Sequence, residues 1–285
     1  MPWAALRQIC KEKGKTALER SLQHEVTIWN RETFASDSLS LIGEEPLSIR
    51  VQGNPYAVIM RTPGEEKEHV AGFCLAEGIV DNPAELISIA RCDLDDTNVI
   101  AVTLTPERRA MIDDILDRRE FISQTSCGIC GKEVVRDLQS KIRPVEDDTR
   151  FDIRQASQCL DEIANYQPLR KTTRGAHTAL IFNRQLGLIS SAEDVGRHNA
   201  LDKAIGKLFL DNRIGEAGLL VMASRVSYEL VQKAARARIP VIIAVSRPTA
   251  LAVELAAALN MTLATKAKGI GLFVFTAPQR LGVQL

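Results

Sequence analysis

Two cysteines separated by two residues, Cys127 and Cys130, are the side chains of this sequence best suited to covalent chemistry. They lie in "SQTSCGICGKE", a stretch rich in glycine and serine that has no strong hydrophobic pattern. A structural zinc site normally takes four Cys or His ligands, and the sequence has no second CxxC, HxxxH or CxxH. A thioredoxin-like redox pair would follow a hydrophobic strand, whereas the preceding residues resemble a charged helix that ends in a polar loop.

A nucleophilic thiol on a loop is the third interpretation of this pair. The two glycines reduce the bulk around the sulfur atoms, and an amide-rich turn with Lys132 favours the thiolate over the thiol. Such surroundings lower the pKa of a cysteine from about 8.5 to roughly 7 or below, which leaves a useful fraction ionised at cellular pH. The residues alone leave all three interpretations open.

The other four cysteines, Cys10, Cys74, Cys92 and Cys159, are isolated in the sequence. Cys74 lies among apolar residues at helical spacing in "EHVAGFCLAEGIV", which predicts a buried, inert thiol, and Cys92 and Cys159 receive the same interpretation. No apolar run suits a signal peptide, and none approaches the roughly 18 residues of a membrane span. We therefore expect a cytoplasmic protein, in which thiols stay reduced and a disulfide framework does not form.

Length and charge limit the class of protein further. The 285 residues are 45 % hydrophobic, enough for a substantial core and for two compact domains. Lys and Arg number 36, and so do Asp and Glu. This balance gives no reason to expect nucleic acid or an anionic membrane as the main partner.

Polar clusters follow three predicted strands in the C-terminal half: "SSAEDVGRHN", "SRVSYE" and "SRPTA". Carboxyl ends of parallel strands lie on one edge of a sheet, where helix N-termini suit anionic ligands such as phosphates. The alternative is that these residues are helix caps, with Pro248 in a first turn. The residues that could surround one anionic ligand are Arg197, His198, Ser224, Arg225, Ser246, Arg247 and Thr249.

The elements that would position these clusters can be predicted from their periodicity. "HTALIF" and "LGLIS" flank a short turn and predict a hairpin, and "RHNALDKAIGKLFL" is apolar at helical spacing. Two strand–helix units follow, which indicates a mainly parallel sheet covered by helices. His177 opens the first strand, and a lone histidine of this kind is more often structural than catalytic. Neither GxGxxG after a strand nor GxxxxGK[ST] is present.

The N-terminal part predicts a small α+β unit. "LSIRVQG" and "PYAVIMRTPG" alternate like strands, and "GEEKEHVAGFCLAEGIV" is an amphipathic helix closed by Gly78. Two more strands surround an acidic turn, and a charged helix follows from about Pro106 to Arg119. We expect a small α+β domain at 25–120, a CxxC loop linker at 121–135 where the domains meet, and an α/β domain at 136–285.

Several stretches in this order resemble the FdhD family, the sulfurtransferase accessory proteins of formate dehydrogenase. They are "EEPLSIRVQGNPYAVIMRTPGEEKEHVAGFCLAEGIV", "SCGICG", "AHTALIF", "EDVGRHNALDK" and "SRVSYELVQKA". The resemblance implies a carrier of persulfide sulfur from a cysteine desulfurase to the molybdenum or tungsten bis(guanine dinucleotide) cofactor, before its insertion into the catalytic subunit of formate dehydrogenase. It also implies a three-layer, cytidine-deaminase-like C-terminal domain and a homodimer. Deaminase chemistry is not expected, because HxE followed by PCxxC is absent and His177 follows the cysteines.

The resemblance also implies roles for single residues. Cys127 matches the cysteine that carries the persulfide, and Cys130 matches its partner. The segment formed by Lys266, Ala267, Lys268, Gly269, Ile270 and Gly271 matches the loop that holds the guanine nucleotide end of the cofactor. This segment lacks the arginine often found there, and "TTRGAH" replaces paired glycines, so Lys266, Lys268 and Arg174 would supply the positive charge. Further expected cofactor contacts are His177, Asp194, Arg197, His198, Ser224, Arg225 and Tyr228. No resident metal is expected.

Overall fold

The computed structural model describes residues 19–91, 98–117 and 142–283, so that Cys127, Cys130 and the predicted linker 121–135 lie outside the described residues. The strands are β1 (Ser21–Trp29), β2 (Phe34–Ile42), β3 (Glu45–Val51), β4 (Asn54–Arg61), β5 (Leu86–Arg91), β6 (Val99–Leu104), β7 (His177–Asn183), β8 (Leu188–Asp194), β9 (Ala217–Met222), β10 (Val241–Ala244), β11 (Thr262–Ala267) and β12 (Gly271–Thr276). The α-helices are α1 (Glu66–Ala76), α2 (Pro106–Asp117), α3 (Ile153–Asp161), α4 (Pro168–Thr173), α5 (Arg197–Leu210), α6 (Tyr228–Arg236) and α7 (Ala250–Ala258).

The larger sheet has the strand order β12-β11-β10-β9-β7-β8. β9, β10 and β11 are parallel, as predicted for strands joined by crossover helices. β7 is antiparallel to β8 and to β9, and β12 is antiparallel to β11. The sheet is therefore mixed, which corrects the prediction of a mainly parallel sheet, because short turns after β7 and β11 can only reverse the chain. β8, β9, β10 and β11 nevertheless run in one direction, and their carboxyl ends share one edge.

Helices cover both faces of this sheet. One face packs with buried side chains of α5, α6 and α7, and the other packs with α3 and the segment Pro278–Leu281. The chain is thus a mixed α/β protein, as predicted, and its likeness to cytidine deaminases stays a prediction. Among the described residues, no helix is both long and apolar enough to span a membrane.

The smaller sheet, of order β4-β3-β6-β5, confirms the α+β unit predicted for the N-terminal part. Its inner face packs on α1. α1 ends where Gly78 takes a φ of +75° and its amide donates to the Leu75 carbonyl at 3.1 Å. Glycine adopts this left-handed conformation without a Cβ clash, so the predicted end of the helix is confirmed.

The two units share one hydrophobic core along the contact between α1 and α5. Gly72 lies against the carbonyl of Asp202, and Gly206 lies against the carbonyl of Glu68; a Cβ at either glycine would overlap with that backbone oxygen. Glycine is needed here because the two helix backbones approach so closely. The described contact between the units includes these helices, whereas the predicted loop lies outside the described residues and the domain boundaries stay predictions.

β1 and β2 form a separate two-stranded hairpin, which we did not predict. Both strands alternate with period two, and this alternation is the signal that could have revealed the hairpin. The alternation places most of the apolar side chains on one face, which is only partly covered by the described residues. The apolar residues of this face are Leu22, Val26, Ile28, Ala35, Leu39 and Leu41.

Candidate functional site

The carboxyl ends of β8 to β11 form one edge of the larger sheet, called here the site edge. β8 ends at Asp194, and β7 begins beside it with His177, its partner in the antiparallel register. Arg197 and His198 open α5 after β8, and Tyr228 opens α6 after β9. Predicted site residues from three separate stretches therefore lie at one edge. β8 and β9 end at this edge because they run in the same direction, and β7 begins there because it is antiparallel to both.

The buried carboxylate of Asp194 is the central acceptor at the site edge. Its Oδ2 accepts a hydrogen bond from the amide of Thr62 at 3.0 Å and lies 2.7 Å from Lys203 Nζ. Its Oδ1 accepts from the amide of Gly196 and from Asn199 Nδ2, both at 2.9 Å. Since four donors of the protein surround its two oxygens, Asp194 holds the start of α5 in place. The described geometry makes Asp194 a support for the site edge, and its predicted contact with the cofactor stays a prediction.

His198 connects the starts of α5 and α6. Its Nε2 lies 3.0 Å from Glu229 Oε2 and 3.2 Å from Ser227 Oγ. The hydrogen bond with His198 lowers the pKa of Glu229, and the positive charges of His198 and Lys233 lower it further, against the effect of burial. The ring of His198 is thus fixed in orientation while 21 % of the side chain stays exposed at the edge.

Three predicted site residues carry buried polar atoms that have no hydrogen-bond partner among the described residues. These atoms are His177 Nδ1, Arg197 Nε and Tyr228 Oη. Buried polar groups almost always have a partner, so these atoms mark positions where water or a ligand can bind. Burial lowers the pKa of His177, and the charges of Arg197 and Arg170 lower it further, so the neutral ring is favoured. Burial also raises the pKa of Tyr228, which therefore remains a phenol.

The starts of the helices at this edge differ in how they are capped. At α7, the Thr249 side chain accepts a hydrogen bond from an amide of the first turn, so the interpretation as a helix cap holds there. Gly196 before α5 and Ser227 before α6 provide no side-chain cap. Between β9 and α6, the Ser224 hydroxyl is buried and donates to the carbonyl of Arg225, whose side chain is exposed. The edge thus combines two helix starts without side-chain caps and a solvent-exposed guanidinium.

The segment matched to the nucleotide loop forms the end of β11, the turn and the start of β12. Ala267 accepts from the amide of Ile270 at 2.9 Å, and Gly269 takes a φ of +75°, which the third position of such a turn requires. Ile270 is 84 % exposed. Lys266 Nζ lies 3.0 Å from Asp161 Oδ1, so its charge is partly engaged by the protein. The turn lies at the site edge because β11 is parallel to β10.

The remaining members of this segment and the nearby cations are solvent-exposed. Lys268 and Gly271 are exposed in the turn, and Arg174 is exposed before β7. Arg247, in the third polar cluster, lies with its guanidinium 5.4 Å from the centre of the Phe273 ring. Positive charge is therefore available along the edge from α5 to the turn before β12.

The cysteines within the described residues are buried away from solvent. Cys74 and Cys159 are free and buried. Burial raises the pKa of both thiols, that of Cys159 to about 11. The prediction of inert thiols is confirmed for these two, whereas Cys10 and Cys92 lie outside the described residues. In the described parts of the chain, no three His, Cys, Asp or Glu side chains cluster in a way that could hold a metal ion.

Sequence reasoning missed the buried charged residues behind the site edge. Lys203 pairs with Asp194, and Lys233 Nζ lies 2.8 Å from both carboxylate oxygens of Asp202. Burial raises the pKa of Asp202 to about 6, against the effect of Lys233. Burial and the neighbouring cations hold the pKa of His69 well below its usual value. Charged residues at otherwise apolar helix positions in "RHNALDK" were the signal that could have revealed Asp202 and Lys203.

Comparisons with known proteins agree with this architecture. The model of the FdhD/NarQ family matches residues 42–282. Proteins named sulfur carrier protein FdhD are similar to this chain. The one from Anaeromyxobacter dehalogenans is 34 % identical, and the match covers 86 % of this chain and 89 % of that protein. The one from Mycobacterium tuberculosis is 37 % identical, and the match covers 85 % of this chain and 91 % of that protein. A relative from Xanthomonas campestris is 37 % identical over 84 % of each chain.

A solved structure shows the same fold. The crystal structure of a proposed formate dehydrogenase accessory protein from Desulfotalea psychrophila superposes with a TM-score of 0.73 at 22 % identity, over 92 % of this chain and all of that one. The family model covers most of the chain, and the relatives match it over most of their own length. This chain therefore belongs to the FdhD/NarQ family.

Proposed function

We propose that this chain is a sulfur carrier for the maturation of formate dehydrogenase. It would take sulfane sulfur from a cysteine desulfurase on Cys127, with Cys130 as the neighbouring thiol. It would pass the sulfur to a molybdenum or tungsten bis(guanine dinucleotide) cofactor, bound as substrate, before that cofactor enters the dehydrogenase. The names of the relatives support the sulfur-carrier role, and the site edge supports the binding of an anionic nucleotide.

One observation carries the binding part of this proposal: groups suited to phosphate converge at the site edge. Two helix starts without side-chain caps offer backbone amides and partial positive charge. Arg197 and Arg225 flank these starts, and Arg197 Nε has no hydrogen-bond partner in the part of the chain that the structure describes. Planar guanidinium groups are well suited to bind phosphate oxygens. A ligand with several phosphates, such as a dinucleotide cofactor, fits this set better than a neutral one does.

The sulfur step requires a thiolate. The Cys127 thiolate would attack the terminal sulfur of a desulfurase persulfide, the S–S bond of the donor would break, and the desulfurase would leave as its own thiolate. Cys127 would then carry the persulfide. The buried thiols of Cys74 and Cys159 do not suit this reaction, because their raised pKa values leave almost no thiolate at neutral pH.

The proposed partners are a cysteine desulfurase, the catalytic subunit of formate dehydrogenase and a second copy of this chain, all in the cytoplasm. Neither nucleic acid nor a membrane belongs to the proposal. The hairpin β1–β2 offers a surface for one of the protein partners, because an isolated two-stranded hairpin with an apolar face gains stability when that face is covered. Sedimentation of the purified chain would show whether it dimerises.

The test is the intact mass of the protein after incubation with a cysteine desulfurase and cysteine, under non-reducing conditions. Wild type, Cys127→Ala and Cys130→Ala are compared with Cys159→Ala, which removes a buried thiol and serves as the matched control. We expect a gain of one sulfur, reversible by reductant, in wild type and in Cys159→Ala, and none in Cys127→Ala. Full loading of Cys127→Ala would refute the proposed mechanism.

A second candidate is a chaperone that only binds and protects the cofactor. The helix starts and guanidinium groups of the site edge support this candidate as well, because binding of the cofactor needs no thiol. This candidate requires that both cysteines of the CxxC pair be dispensable for maturation, while Arg197 and Arg225 are not. Normal formate dehydrogenase activity in cells that carry Cys127→Ala/Cys130→Ala would support it, and loss of activity would exclude it.

A further inference from the structure

The smaller sheet reaches into the site edge through the residues that follow β4. Thr62 is fully buried there, and all three of its polar groups are bonded to the segment at the start of α5. Its amide donates to Asp194 Oδ2 at 3.0 Å, its Oγ1 accepts from the amide of Val195 at 3.0 Å, and its carbonyl accepts from Lys203 Nζ at 2.8 Å. Thr62 of the N-terminal unit is thus hydrogen-bonded to three residues of the other unit, Asp194, Val195 and Lys203.

A neighbouring bond strengthens the same connection. Asn199 Nδ2 donates to the carbonyl of Met60 at 2.8 Å and to Asp194 Oδ1 at 2.9 Å. The end of β4 therefore fixes the chain immediately before and inside the first turn of α5. Arg197 and His198, which face the proposed ligand, lie between these fixed points in sequence.

The hydroxyl of Thr62 has a specific part in this arrangement. The amide of Val195 is the donor to Thr62 Oγ1, and Val195 is the residue between Asp194 and Gly196, the residue that precedes α5. Without that acceptor, the Val195 amide would lose the hydrogen bond that ties it to the other unit. The segment would then be held only by the bonds of Asp194 and Asn199, and the first turn of α5 would be fixed less firmly.

We propose that Thr62 is a positioning residue of the site edge, which fixes Arg197 and His198 for an anionic ligand without touching that ligand. This inference rests on the proposed function for the identity of the ligand. It goes beyond that function in assigning part of the binding site to the N-terminal unit. The C-terminal unit is then not a binding domain by itself, because the N-terminal unit holds Arg197 and His198 in the geometry that binds the ligand.

Two substitutions separate positioning from simple packing. Thr62→Val keeps nearly the same volume but removes the hydroxyl, whereas Thr62→Ser keeps the hydroxyl and removes a methyl group. Binding of GDP, used as a probe for the nucleotide end of the cofactor, is measured by calorimetry on the full chain. We expect Thr62→Val to weaken GDP binding by about 2- to 10-fold, the range of one hydrogen bond, and Thr62→Ser to bind like wild type. Equal weakening in both variants would mean that packing alone matters, and would overturn the inference.

Hydrogen exchange at the Val195 amide provides a readout that needs no ligand. We expect faster exchange in Thr62→Val and exchange near the wild-type rate in Thr62→Ser. Unchanged exchange in Thr62→Val would overturn the inference even if its GDP affinity fell. If wild type does not bind GDP, that result counts against the proposed nucleotide site, and the exchange rates alone then decide whether Thr62 positions the start of α5.

Discussion

Replacement of Lys203 by Met would show how much the buried ion pair at the site edge contributes to stability. Lys203 Nζ lies 2.7 Å from Asp194 Oδ2, and both side chains are 0 % exposed. Met has a similar length but no charge, so the Asp194 carboxylate would be left with three of its four donors, and the Thr62 carbonyl would lose its hydrogen bond from Lys203 Nζ. Removal of one partner of a buried pair costs about 3–5 kcal/mol, because the remaining charge stays desolvated. We expect a value near the lower end, about 3 kcal/mol, since the three remaining donors still stabilise the carboxylate.

The assay is urea unfolding, with thermal unfolding as a second measurement. A loss of about 3 kcal/mol corresponds to a decrease in Tm of roughly 6–12 °C for a chain of this size. Lys207→Met is the matched control on the same helix, because Lys207 pairs with Glu65 at 2.6 Å but both side chains are 30 % exposed. A partly exposed pair of this kind is screened by solvent and contributes about 1 kcal/mol.

A double variant identifies the cause of the loss. Lys203→Met with Asp194→Asn removes both charges while leaving an oxygen to accept from the amides of Thr62 or Gly196. We expect this variant to be more stable than Lys203→Met alone, because no uncompensated charge remains. The reasoning is refuted if Lys203→Met costs no more than Lys207→Met, or if the double variant is no more stable than the single one.

Two other predictions concern the helix contact and the pH dependence of the site. Gly206→Ala should prevent the close approach of α5 to the Glu68 carbonyl and lower the free energy of unfolding, measured in urea, by more than about 2 kcal/mol. Gly215 has open space around it, so Gly215→Ala is the control and should leave the free energy of unfolding nearly unchanged. The pKa of Glu229 is lowered in the folded protein. The ionised Glu229 therefore stabilises the fold at pH values above 4.5, its ordinary pKa, and this stabilisation is lost as the pH falls through the lower pKa of the folded state. In His198→Ala, the Glu229 pKa measured by carbon-detected NMR should therefore rise, and an unchanged value would contradict the hydrogen bond.

Much of the fold could be predicted from sequence because its signals are local. The period-two and period-3.6 patterns located β3 to β10, α1, α2 and α5 to α7, and the left-handed Gly78 ended α1 where expected. The predicted hairpin of β7 and β8 is confirmed, but the pairing of β7 with β9 could not be predicted in this way, because strand order depends on contacts between residues far apart in the sequence. The same limit explains why the mixed character of the larger sheet was missed.

The candidate site shows the same division between local and distant information. The polar clusters could be placed at one edge because each follows a strand, and strands joined by crossover helices run in the same direction. The role of Asp194 could not be predicted, since two of its four donors are Thr62, 132 residues earlier in the chain, and Lys203, buried in α5. Glu229 was missed because its partner His198 begins a different helix.

The sequence by itself determined most of the elements, the two buried thiols, the edge at which the polar clusters lie and the resemblance to the FdhD family. Residue types, periodicity and turn chemistry act over a few residues, and a single sequence displays them directly. Only the tertiary structure decided that α1 and α5 share one core, that Asp194 is enclosed by donors from both units, and that Thr62 holds the start of α5. In the last two of these features, a buried charge or amide finds its hydrogen-bond partner in a segment far away in the sequence. No local sequence pattern shows which distant segment supplies that partner.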